Sequence, residues 1–192
     1  MKQDIILAGV GGQGILSIAY VIDNAALADG LTFKQAEVHG MAQRGGAVQS
    51  HLRLADGTIW SDLIPKGQAD LILSVEPLEA LRYMDYLRPD GTVVTSSTPF
   101  KNIPDYPDVA QVLEAVRKAP RSVVVDAEKL AKEAGTVKAQ NIVLLGAAAP
   151  VLILKEASLR ATIDQLFRGR GLPILEANLK AFDLGRKAAL GQ

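Results

Sequence analysis

The run ILAGVGGQGIL, residues 5 to 15, constrains the fold of this chain more than any other stretch. Ile5 to Ala8 form a short apolar run of strand length. Gly9, Gly11 and Gly14 then follow G-x-G-x-x-G, and a segment with helical spacing begins at once. Such a pattern predicts a buried strand turning sharply into a helix, as at the first crossover of an open α/β sheet. It has two readings. Gly11 would let a pyrophosphate approach the backbone and the helix start would offer N–H groups to an anion. Glu37, roughly 20 positions further on, would then stand where a dinucleotide site keeps its ribose-binding acid. Equally, the glycines turn a strand into a helix with no ligand at all, and spacing alone does not separate the two.

The rest of the chain alternates in the same way. A strand is expected at 4–8 and a helix at 14–29, whose Ala19, Ala25, Ala26 and Ala28 allow close seating on a sheet before Gly30 ends it. FKQAEV (33–38) reads as a second strand. AVQSHLRL and TIWSDLI flank Asp56-Gly57 and predict a hairpin. ADLILSV (69–75) is a buried strand, PLEALRYMDYL a helix opening on proline, PDG (89–91) a turn into TVVTSS, and SVVVDA (122–127) a last strand. TPFKNIPDYPD (98–108), with three prolines, is expected to be irregular, either ordered or a contact loop. From Ala127 the pattern is helical: NIVLLGAAAPVLIL is apolar all round, while SLRATIDQLF and ILEANLKAFDLGRKAAL are amphipathic. Together these predict one domain over 1–192: an open, mostly parallel, doubly wound (Rossmann-like) α/β sheet with an inserted β-hairpin and a helical C-terminal region.

Composition narrows the chemistry. Lysine plus arginine and aspartate plus glutamate both number 21, so no global field steers the chain onto nucleic acid or an anionic membrane. The chain has no cysteine, which removes disulfides, thiol catalysis, thiolate zinc sites and cysteine-ligated iron–sulfur clusters. The first apolar run meets glycines too soon for a signal peptide, and Ile142 to Leu154 is shorter than a bilayer span and broken by Pro150. A cytoplasmic protein is expected.

EVHGMAQRGGAVQSHLR, residues 37 to 53, is the second constellation. It holds both histidines, twelve residues apart and without a supporting ligand pattern, so no metal site is expected. Strand alternation puts Val48, Ser50, Leu52 and Leu54 on one face and Gln49, His51 and Arg53 on the other, a polar face that reads as solvated. Ser50 and His51 therefore do not make a nucleophile–base pair. Arg44 before Gly45 and Gly46 places a guanidinium beside bare backbone N–H groups, suited to a phosphate, a carboxylate or a partner's acidic residue; the plain alternative is a turn between strands.

Taken together, GVGGQGILS (9–17), EVHGMAQRGGAVQSHLR (37–53), SDLIPKGQADLILSVEPLEALRY (61–83) and NIVLLGA (141–147) resemble the gamma subunit or domain of the 2-oxoacid:ferredoxin oxidoreductases, with the strongest likeness to the indolepyruvate branch. The resemblance implies a Rossmann-like domain that does not itself bind NAD. It implies a role in oxidative decarboxylation of a 2-oxoacid, an arylpyruvate such as indolepyruvate, to an acyl-CoA with electrons passed to ferredoxin. Thiamine diphosphate and iron–sulfur clusters would sit on a larger partner subunit. Gly11, Gly12, Gln13 and Gly14, with His39, Gly40, Gln43, Arg44, Gly45 and Gly46, would face that partner's cofactor or coenzyme A, Arg44 being the anion contact. No residue is expected to act as nucleophile, acid or base, or to bind a metal. The isolated chain is expected to be inactive and to pair with itself through an orphaned apolar face. Two other readings stand beside this one: a free-standing dinucleotide-binding protein using the glycine loop and Glu37, and a purely structural subunit.

Overall fold

The computed structural model describes residues 1–39 and 45–191. Six strands form one sheet in the order β2-β3-β1-β4-β5-β6. β1 (Lys2–Val10), β4 (Ala69–Ser74), β5 (Leu87–Ser96) and β6 (Arg121–Val125) run parallel; β1 and β4 are apolar and buried along most of their length and β5 is buried from Gly91 to Ser96, as strands covered on both faces must be. β3 (Ala47–Ala55) is the one antiparallel strand, lying between β1 and β2 (Thr32–His39) and pairing with both.

Helices α1 (Ile15–Ala28), α4 (Ala127–Ala134), α5 (Gln140–Ala148), α6 (Glu156–Phe167) and α7 (Leu172–Ala189) cover one face. Their apolar stripes meet Ile5, Leu7, Leu52, Leu71 and Leu73 in the larger core. On the other face α2 (Pro77–Arg82) and α3 (Val109–Arg117) set Ala80 and Val116 against Ile6, Ile72 and Val93. The sheet is therefore doubly wound. The helix after β1 crosses on one face and the helix after β4 on the other, so the crevice beyond the carboxyl ends of these neighbouring strands is a topological switch point.

Four local expectations are corrected. TIWSDLI forms no strand: both edges of β3 are already taken by β1 and β2, so the hairpin partner of β3 is β2. Residues 56–68 instead fold irregularly under the sheet. Arg53 Nη1 donates to the Ser61 and Leu63 carbonyls, Ile64 N–H donates to His51 Nδ1 at 3.0 Å, and Arg53 also pairs with the buried Asp4. His51 and Arg53 are consequently roofed over rather than solvated, while Gln49 on the same face stays half-buried, and burial pushes the His51 pKa down. PDG, read as a turn, lies inside β5, where the register jumps from Ala69↔Leu87 to Leu71↔Thr92 and the extra residues form an irregular bulge. The apolar run from Asn141 is helical only to Ala148 and tightens into a 3-10 turn at Ala149–Val151, where Pro150 has no N–H to donate. No helix among the described residues is long and apolar enough to cross a membrane.

Candidate functional site at the glycine turn

The turn between β1 and α1 is built by its own backbone. Gly14, the residue before α1, has φ +79°, a left-handed conformation open to glycine, and a side chain there would run into Asn141. Gln13 Oε1 accepts the Val10 N–H at 2.8 Å, which ties the end of β1 to the turn. Gly11 N–H donates to the Gly46 carbonyl at 2.8 Å and Gly45 N–H donates to the Gly11 carbonyl at 3.3 Å, so the glycine turn and the start of β3 are laced together. No side chain caps α1, leaving its first N–H groups for an acceptor outside the helix.

Beside this turn opens a cavity of about 820 Å³. Gly12, Gln13 and Gly14 form one wall; α5 contributes Asn141, and the chain around the start of α7 contributes Arg170, Ile174 and Asn178. Phe100, Val137 and Ile174 give it an exposed apolar rim. Asn141 and Asn178 are buried, and each spends its Nδ2 on a backbone carbonyl, of Gly14 and Ile174 respectively. Among the described residues, Lys138 and Arg170 are the cations of the lining, Arg170 lying 5.5 Å from the centre of the Phe167 ring, and no aspartate or glutamate lines the space. An apolar hollow with two cations, an uncapped helix start and no carboxylate suits a ligand that is part anion and part hydrophobe.

A third element closes the end of the sheet. Glu76 follows β4 and is buried; its Oε2 accepts the Glu79 N–H at 2.8 Å and so caps α2. Its Oε1 accepts the Phe100 N–H at 3.3 Å and the Tyr106 hydroxyl, and burial together with this bond pushes the Tyr106 pKa above its ordinary value. The three-proline segment 98–108 is thus a strap across the carboxyl ends of the strands. Asn102 Nδ2 donates to the Gly45 carbonyl at 2.9 Å.

The structure brings some of the sequence-selected residues together and separates others. Gly12, Gln13 and Gly14 line the cavity, whereas Gly11 is turned into the contact with Gly46 and its N–H is spent there. Gly45 and Gly46 sit against the glycine turn. His39 ends β2, and Gly40, Gln43 and Arg44 lie outside the described residues. Glu37 is in β2, opposite Ser50. Because β3 is inserted between β2 and β1, Glu37 stands one strand spacing, about 5 Å, farther from the glycine turn than the acid of a dinucleotide site whose second strand adjoins the first. The dinucleotide geometry is therefore not formed. Asn141, Lys138, Arg170, Asn178, Glu76 and Tyr106 were not singled out in the sequence. Only the proline-rich composition of 98–108 signalled that an unusual contact segment was present.

The chain matches the family described as pyruvate ferredoxin/flavodoxin oxidoreductase over residues 4–188. It is 39% identical to the indolepyruvate oxidoreductase subunit IorB of Pyrococcus horikoshii, an alignment covering 98% of this chain and 97% of that one. Among solved structures, the gamma subunit of a keto/oxoacid ferredoxin oxidoreductase from Geobacter sulfurreducens superposes with a TM-score of 0.73 at 23% identity, covering 99% of both chains. The 2-oxoglutarate:ferredoxin oxidoreductase of Magnetococcus marinus, solved with 2-oxoglutarate, coenzyme A and succinyl-CoA bound, superposes with a TM-score of 0.79 at 22% identity; all of this chain is covered, but it spans 31% of that longer chain. The family match over residues 4–188 and the near full-length alignment at 39% identity show that the chain belongs to the pyruvate ferredoxin/flavodoxin oxidoreductase family.

Proposed function

We propose that this chain is the small subunit of a 2-oxoacid:ferredoxin oxidoreductase acting on indolepyruvate or another arylpyruvate, and that its cavity holds coenzyme A. The enzyme would convert the 2-oxoacid to its acyl-CoA and pass the electrons to ferredoxin. Thiamine diphosphate and iron–sulfur clusters would complete the chemistry, and this chain has no cysteine to ligate a cluster. A larger partner subunit is assigned both groups.

The observation that carries the coenzyme reading is the cavity at the switch point, with Lys138 and Arg170 in its wall and, among the described residues, no carboxylate. Phosphate groups would lie against the two cations and the start of α1. The less polar parts would lie along Phe100, Val137 and Ile174. This chain's work is then to bind and orient the acyl acceptor. Arg44 is carried over from the resemblance as a further anion contact.

The test uses the enzyme assembled with its larger subunit and dye reduction driven by indolepyruvate. Lys138→Ala and Arg170→Ala should each raise the KM for coenzyme A about tenfold, the worth of one charge-assisted contact, with the KM for indolepyruvate as reference. If both variants keep the coenzyme A KM within twofold, the cavity is not its site.

A further inference from the structure

Resting on that reading of the cavity, we infer that the strap 98–108 is a positioning device for coenzyme A, with Asn102 and Tyr106 as its working residues. A segment with three prolines has little backbone pairing available to hold it in place. Here side chains supply the restraint. The buried Glu76 carboxylate takes both the Phe100 N–H and the Tyr106 hydroxyl. Asn102, which lies between those two residues in the chain, donates to the Gly45 carbonyl, and the Thr98 hydroxyl donates to Asp126 at 3.5 Å.

Gly45 is not an isolated surface point. Its N–H reaches the Gly11 carbonyl, and the next residue, Gly46, receives the Gly11 N–H. A continuous path therefore runs from the end of β4, through Glu76 and the strap, to Gly45, and from there into the turn whose next three residues line the cavity. Phe100, whose N–H is bonded to Glu76, is itself part of that lining. The strap thus fixes one apolar wall and the shape of the glycine turn at once. Asn102 and Tyr106 line no part of the cavity, so their effect on the coenzyme passes through Phe100 and the turn.

The experiment places Asn102→Ala and Tyr106→Phe in the assembled enzyme. It measures the KM for coenzyme A, the KM for indolepyruvate and kcat, and follows amide exchange in residues 9–14. Each variant should raise the coenzyme A KM about fivefold, the effect of one neutral hydrogen bond. The KM for indolepyruvate should move less than twofold, and exchange at Gly11 should quicken in Asn102→Ala. A parallel fall of kcat and of both affinities would mark a merely structural contact and overturn the proposal. If Lys138→Ala raises the coenzyme A KM while the strap variants do not, the cavity reading stands and the strap role fails. If none of the variants alters coenzyme A use, both fail together.

Discussion

Gly14 and Gly185 are both positions where a side chain would collide, yet they belong to regions of different design. A Cβ on Gly185 would overlap the Val143 carbonyl oxygen and one on Gly146 would overlap that of Phe182, so α5 and α7 meet backbone against backbone. At the glycine turn, a Cβ on Gly14 would meet the end of the Asn141 side chain at 2.5 Å, and one on Gly12 would meet nothing within 4 Å. The helix crossing removes side chains so that the protein can fill the space with its own main chain. The turn removes them beside a cavity. Identical residues thus serve packing in one region and access in the other.

The largest effect is expected where backbone opposes backbone. Gly185→Ala must separate α5 from α7, and neither carbonyl can swing aside as a side chain would. The isolated subunit should lose about 3 kcal/mol or more, read as a lower midpoint in denaturant. A loss below about 1 kcal/mol would show that the two helices part easily and that the crossing is not a packing constraint.

α1 belongs to both regions, since it begins at the turn and packs against α5 and α6. In its middle, Asp23 is buried, its Oδ1 has no hydrogen-bond partner, and burial pushes its pKa up from 3.8 to about 7. Between about pH 4 and about pH 7 the folded chain therefore holds a proton that the unfolded chain has lost. This group's contribution to stability falls as pH rises through that window and is level above it. Asp23→Asn should stabilise the subunit at pH 8 by on the order of 2 kcal/mol and flatten its stability between pH 5 and 7. An unchanged pH profile would mean that the carboxylate reaches water.

How much of this was legible in the sequence follows the range of the interactions. The β1 turn could be read because Gly9, Gly11 and Gly14 act within six residues of one another. The doubly wound sheet followed from alternating strand and helix patterns. The insertion of β3 beside β1 could not be read, because strand order is decided by pairings between residues some fifty positions apart, such as Asp4 with Arg53. For the same reason TIWSDLI looked like a strand: its composition favours one, but no free edge of β3 remained. The far wall of the cavity comes from Asn141, Arg170 and Asn178, whose positions depend on how α5 and α7 cross. Gly146 and Gly185, which permit that crossing, sit inside apolar and amphipathic runs and carry no local signature.

Gly14→Ala falls between the two designs. It imposes a left-handed conformation on alanine and displaces Asn141 from the Gly14 carbonyl, for about 1.5 kcal/mol. Because Asn141 lines the cavity, the same variant should also weaken coenzyme A binding in the assembled enzyme. Stability loss without any change in the coenzyme A KM would class the position with the helix crossing.

Gly12→Ala gives the smallest loss of stability and the sharpest separation. With φ at +99° the backbone carries a strain of about 1 kcal/mol when a Cβ is added, but no protein atom stands in the way. The new methyl group would instead intrude on the cavity that Gly12 lines. Denaturation of the isolated subunit should therefore change little, while the coenzyme A KM of the assembled enzyme rises severalfold. The opposite pattern, a destabilised subunit with an unaltered KM, would make the turn a packed structure like the helix crossing. It would remove the distinction between glycines that admit the main chain and glycines that admit a ligand.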